Sequence, residues 1–150
     1  MKKHSAQHPQ AARLGYVLKR AQHALRTGMD NKLEPLGITA PQYNVLSAIE
    51  HNPGISNADL ARGDFSTAQS MVGVVANLER MGLIQRHDHP QHGRVRRTEL
   101  TSKGRNALEK AHKLLSGVED AMTHGFSSRE RDELGKLLIR CTENLVHHFR

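Results

Sequence analysis

The chain has 150 residues, with 22 Lys and Arg against 15 Asp and Glu and a formal net charge of +7. That length suits one compact domain with a real core, and a hydrophobic fraction of 37% is too high for a disordered tail. The longest apolar run, residues 71–76, falls far short of the ~18 residues of a membrane span, so no membrane partner is expected.

A lone cysteine, Cys141, excludes an internal disulfide and a CxxC zinc ribbon. The start, MKKHSAQHPQ, has lysines but no apolar stretch behind them, so no signal peptide is read and a soluble, cytoplasmic protein is expected. The excess of positive charge points to a polyanionic partner. Aromatics at 3%, with no Trp, argue against a base-stacking platform for single strands.

Residues 1–9 are polar and expected to be irregular. From Ala11 a helical period begins, in which Leu14, Leu18, Ala21, Leu25, Met29 and Leu33 recur every three or four residues. It predicts a long first helix ending near Pro35, Leu36 and Gly37. Thr39-Ala40-Pro41-Gln42 has capping-box spacing with Pro in the first turn. It opens a second helix carrying Tyr43, Val45, Leu46 and Ile49, closed by Asn52-Pro53-Gly54. Ser56-Asn57-Ala58-Asp59 reads as a further cap before a short helix through Leu60, Ala61 and Arg62. Gly63-Asp64-Phe65-Ser66 reads as a turn. Thr67 then caps a helix to Met81, stopped by Gly82. Short helix, turn and longer helix form a helix-turn-helix layout. Leu83 to His87 and Arg94 to Leu100 are expected as paired strands around a loop from Asp88 to Gly93.

A second long helix is expected from Thr101 to about His124, with Ala107, Leu108, Ala111, Leu114, Leu115, Val118 and Met122 on one stripe. Gly125-Phe126 breaks it. Ser127-Ser128-Arg129-Glu130 is a capping box before a last helix bearing Leu134, Leu137, Leu138, Cys141 and Leu145 on one face.

The segment from Thr67 to Met81 carries the functional signal. Met71, Val74, Val75 and Leu78 fall on one side, while Gln69, Gly73, Ala76, Asn77 and Arg80 fall on the other. No charged residue stands between Thr67 and Leu78. Small and amide side chains let a helix lie against base edges, where acidic ones would be repelled by phosphate. The expected DNA contacts are Ser66, Thr67, Gln69, Ser70, Gly73, Asn77 and Arg80; a sparsely charged core helix is the plain structural alternative. Arg86, Arg94, Arg96 and Arg97 flank the 88–93 turn with Asp88 as the acid among them. Arg86, Arg94 and Arg96 there can reach phosphates or a minor groove; the alternative is a solvated charge cluster.

In this order and spacing, Thr39-x-x-Gln42 with Val45-Leu46, Leu60-Ala61, Leu78-Glu79-Arg80-Met81-Gly82-Leu83-Ile84-x-Arg86, Asp88-His89-Pro90 and Leu100-Thr101-x-x-Gly104 resemble the MarR family of winged-helix repressors. The resemblance implies a mostly α fold with a small antiparallel β wing. Residues 37–100 would be the winged helix-turn-helix region, and 11–36 and 101–150 long terminal dimerisation helices. The apolar stripes of both termini agree, since each needs a surface to bury against. A homodimer would set two recognition helices about one DNA turn apart (~34 Å), over a pseudo-palindromic operator. Where the family has Asp-x-Arg at the wing, this chain has His92-Gly93-Arg94, so Arg94 lacks that acid. The resemblance also implies a small aromatic or phenolic effector between the dimer helices and the winged region. Tyr16, His23 and Tyr43 are the candidate lining residues, each with an ordinary core role as its alternative.

The wing histidines His87, His89 and His92 and the terminal His147-His148 raise a zinc-responsive reading, weighed against solvated or phosphate-contacting roles. No metal site and no cofactor are expected. Cys141, on an apolar stripe, reads as a small buried hydrophobe rather than a thiol sensor. The sequence has no P-loop, GxSxG or HExxH, so no enzyme is expected. A ligand-responsive repressor is the reading, with a non-sensing architectural or antitoxin-like DNA-binding protein, or a helical interaction module, as alternatives.

Overall fold

The computed structural model describes residues 13–63, 66–89 and 92–148, with the backbone alone at 89 and 92–96. The expected irregular start at 1–9, the first turn of the long helix at Ala11 and the turn residues Asp64 and Phe65 lie outside these. The chain forms two compact units, residues 1–116 and 117–150.

In the first unit, α1 (Leu14–Leu33) passes through a 3₁₀ turn at Glu34–Leu36 to Gly37, whose φ of 66° is the left-handed conformation that glycine takes without strain. α2 (Ala40–His51) opens on the expected capping box: the Gln42 amide N–H donates to Thr39 Oγ1 at 3.4 Å, and the Thr39 N–H donates to Gln42 Oε1 at 2.9 Å. α3 (Asn57–Gly63) runs one residue further than the sequence pattern indicates and takes in Gly63 from the expected turn. α4 (Ala68–Arg80) is capped by Thr67, whose Oγ1 accepts the Ser70 N–H at 3.1 Å. Gly82, at φ 71°, ends it.

A hairpin follows, β1 (Ile84–His89) against β2 (His92–Leu100). It is antiparallel, with Ile84 opposite Leu100, Arg86 opposite Thr98 and Asp88 opposite Arg96. The ladder is longer than the sequence pattern indicates. His89 pairs with His92 past an irregularity at Asp88/His89, so strand extends into the expected 88–93 loop. Backbone pairing needs no alternation of apolar side chains, which is why the pattern misses it.

The core of this unit is apolar and drawn from each of its α-helices and both strands. Leu33, Leu46, Ile49, Met71, Val75, Leu78 and Leu108 are each essentially inaccessible to solvent. Each such side chain contributes roughly 1.5–3 kcal/mol by leaving water. α5 (Ser102–Met122) supplies Leu108, Ala111 and Leu115 from its part within this unit.

In the second unit the end of α5 leads through Gly125, at φ 82°, into α6 (Ser128–His148). Ser127 and Glu130 form the expected capping box. α6 has no buried residue, and Cys141 is exposed. That corrects the expectation of a buried thiol, since no residue of α6 is buried. Among the described residues no helix is long and apolar enough to cross a membrane.

Candidate nucleic-acid interface

α4 has one face fixed and one face free. Met71, Val75 and Leu78 are buried and Val74 is half-buried, which sets the rotation of the helix. Gln69, Ser70, Gly73, Ala76 and Arg80 are exposed on other sides. Nothing stands within 4 Å of a Cβ built on Gly73, so that face is open at its centre.

The expected contact residues divide by surroundings. Thr67 is exposed and doubly used: its hydroxyl caps the helix and donates to Ser70 Oγ at 3.0 Å. Ser66 is half-buried, its Oγ has no partner among the described residues, and its N–H donates to Ala61 O at 3.1 Å. Asn77 is also half-buried, with Oδ1 accepting from Gln42 Nε2 at 3.2 Å. Arg86 faces inward beside Thr98, which is fully buried. Its guanidinium lies 4.0 Å from Glu79 Oε2 with 20% of the side chain exposed. Arg94 and Arg96 sit on β2, and their side chains lie outside the described residues.

Four hydrogen bonds that the sequence pattern does not reveal hold α4 and the turn after it in place. Gln42, read only as a capping residue, ties α2 to Asn77. The start of α5 grips the end of α4: Thr101 Oγ1 donates to Gly82 O at 2.7 Å, and Lys103 Nζ donates to Met81 O at 2.9 Å. The Thr101 N–H donates to Leu83 O at 3.0 Å. Thr101-x-x-Gly104 was visible as a motif, but its spacing says nothing about what it touches.

The candidate effector residues are not brought together. Tyr16 lines a shallow depression on α1 with Val17, Arg20 and Ala21. His23 is exposed on the same helix. Tyr43 instead meets α5: its hydroxyl and His112 Nδ1 are 3.0 Å apart, the rings meet edge to face at 83°, and His112 Nε2 lies 3.2 Å from Glu50 Oε2. A different cleft, of about 350 Å³, opens between α1 and α2 and is lined by Gln22, Leu25, Arg26, Met29, Ala40, Pro41 and Asn44. Arg26 Nε lies 3.8 Å from Asp30 Oδ2, and Asp30 Oδ1 accepts the Ala40 N–H at 2.7 Å. Among the described residues no group of three or more His, Cys, Asp or Glu is placed to hold a metal ion.

A sequence model of the MarR family matches residues 36–95, which run from the end of the 3₁₀ turn into the wing. The chain is 31% identical over 127 residues to the HTH-type transcriptional repressor Rv2887 of Mycobacterium tuberculosis, covering 85% of this chain and 91% of that protein. Its fold is similar to that of the transcriptional repressor CouR bound to a 23-mer DNA duplex, with TM-score 0.83, 31% identity, and coverage of 88% of this chain and 94% of that one. It is also similar to Rv2887 in complex with salicylic acid, with TM-score 0.71, 30% identity, and coverage of 87% and 96%. The chain belongs to the MarR family of winged helix-turn-helix, DNA-binding transcriptional regulators, a family of regulators and not of enzymes.

Proposed function

We propose that the protein is a ligand-responsive repressor that binds a pseudo-palindromic operator as a homodimer in the cytoplasm. The observation that carries this reading is the exposed face of α4, free of charge from Thr67 to Leu78 and set by a buried opposite face. Gln69 and Ser70, in its first turn, take the base edges, and Gly73 lets the backbone approach them. Arg80, Arg94 and Arg96 supply phosphate or minor-groove affinity. Ser66 and Thr67 join them from the start of the helix, while Asn77 and Arg86 act by holding α4 and the wing in place, which shifts these two from contact to positioning roles.

Residues 37–100 form the DNA-reading region, and residues 11–36 and 101–150 the dimerisation helices. Supporting this division, Leu14 is 76% exposed, Leu145 57%, Leu18 46% and Leu138 40%. Apolar stripes left open on a single chain are the mark of an interface. A second copy would cover them and set the paired α4 helices about one DNA turn (~34 Å) apart. Light scattering should find a dimer at micromolar concentration, and a Leu138→Glu, Leu145→Glu double variant should be monomeric. A stable wild-type monomer would contradict the assembly.

The cleft between α1 and α2 suits a small aromatic acid, with Arg26 as its cation. The solved complex of the relative Rv2887 with salicylic acid favours this class of effector. A carboxylate there competes with Asp30 for Arg26, and Asp30 also holds the first residue of α2, whose Gln42 holds Asn77 of α4. An effector acts only if it binds one arrangement better than another. Salicylate should therefore release operator DNA from the wild type and do so less well from Arg26→Ala. Salicylate binding that leaves DNA affinity unchanged would favour a non-sensing DNA-binding protein.

A further inference from the structure

Val72 stands out on α4 because it is a large aliphatic side chain left 55% exposed on a helix whose other large aliphatics are buried or half-buried. It sits three residues after Gln69 and one before Gly73, so it shares the exposed stripe of Gln69, Gly73 and Ala76. A single exposed valine needs no explanation on an ordinary surface. Here it lies on the face assigned to base edges, next to the residue that leaves the approach open. A β-branched side chain in a helix is held in one dominant rotamer, so its methyl groups are presented rigidly and at little entropic cost. The major groove offers one apolar feature, the C5-methyl group of thymine.

We propose that Val72 reads a thymine methyl group and is a specificity residue of the operator contact. This rests on α4 being the DNA-reading helix. Three residues of helix rise span about 4.5 Å, against roughly 3.4 Å per base pair along one strand. The thymine therefore lies within one or two base pairs of the base that Gln69 contacts. A glutamine in that place pairs best with adenine N6 and N7, so each half-site holds an adenine with this thymine beside it.

The test removes the same contact from either side. An operator duplex is selected from a randomised pool with the wild-type protein, and each thymine in it is replaced singly by deoxyuridine, which lacks only the methyl group. One thymine per half-site should matter, its replacement weakening wild-type binding about fourfold, the scale of one buried methyl-sized group. Val72→Ala, which removes the contact from both half-sites of the dimer, should bind the thymine operator about sixteenfold more weakly and show no further loss with deoxyuridine at that site. The inference is overturned if the wild type prefers operator over random duplex yet tolerates every deoxyuridine. It is equally overturned if the deoxyuridine penalty persists in full in Val72→Ala. A wild type with no preference for any duplex sequence would instead bring down the reading of α4 itself, and this inference with it. Val72→Thr, which keeps one methyl group, should retain part of the discrimination.

Discussion

Gly104 and Leu83 are in backbone contact: a Cβ on Gly104 would stand 1.9 Å from the Leu83 carbonyl oxygen. That oxygen already accepts the Thr101 N–H, so the first turn of α5 lies against the turn that ends α4 with no room for a methyl group. The helix expected to dimerise is thereby joined to the helix expected to read DNA through backbone, which cannot rearrange as a side chain can.

Gly104→Ala should therefore cost about 1–3 kcal/mol or more, the range of an overpacked site. In a chain of this size each kcal/mol lowers Tm by roughly 2–4 °C. Gly73→Ala is the contrasting case, because nothing lies within 4 Å of the added atom. It should raise stability by about 0.5–1 kcal/mol through helix propensity alone. Thermal melts followed by circular dichroism check both signs, and equal effects would show that the contact at Leu83 is not tight.

Gln42 and Asn77 should behave as a coupled pair. Their hydrogen bond joins α2 to α4 in a half-buried place, where a net contribution of about 0.5–1.5 kcal/mol is expected. Gln42→Ala and Asn77→Ala should each destabilise, and the double variant should cost less than the sum. Urea denaturation of the four proteins gives the coupling. If Asn77→Ala leaves stability unchanged but alters operator preference, Asn77 is a base contact and not a brace.

The start of α6 should weaken in acid. The Glu130 carboxyl is held below the ordinary glutamate range, first by the Ser127 backbone N–H and then by the Ser127 hydroxyl. A carboxylate lowered on folding stabilises the folded chain above its unfolded pKa. That contribution is lost as pH falls below the ordinary range and through the lowered value. Glu130→Gln should flatten the acid side of the stability profile, lowering stability near neutrality and changing little in acid. An unchanged acid slope would mean that the box does not form.

Helix boundaries were legible because caps are local: Thr39, Thr67 and Ser127 each bond the backbone three residues on, so the spacing alone reveals them. The buried side of α4 was legible for a similar reason, since Met71, Val75 and Leu78 follow the helical period. What the chain order hides is contact between distant residues. Gln42 with Asn77, Lys103 with Met81 and Gly104 with Leu83 all depend on how elements pack. So does the inward turn of Arg86, which resembled its neighbouring arginines until its register opposite Thr98 placed it inside the hairpin. The lining of the α1–α2 cleft is not legible either, because it joins Arg26 and Met29 of α1 to Pro41 and Asn44 of α2, and none of these is aromatic.

Whether α4 reads DNA is tested most directly by the binding of Gln69→Ala, Gly73→Glu and Arg94→Ala to a selected operator and to random duplex across a salt series. Gln69→Ala should keep its affinity for random duplex and lose roughly 1–3 kcal/mol of discrimination. Gly73→Glu should bind neither duplex well while remaining folded, because a carboxylate then faces the phosphates from the open centre of the face. Arg94→Ala should weaken binding to both duplexes alike and flatten the log–log salt slope by about one unit. Unchanged specificity in Gln69→Ala together with normal binding by Gly73→Glu would show that DNA is read elsewhere on the protein.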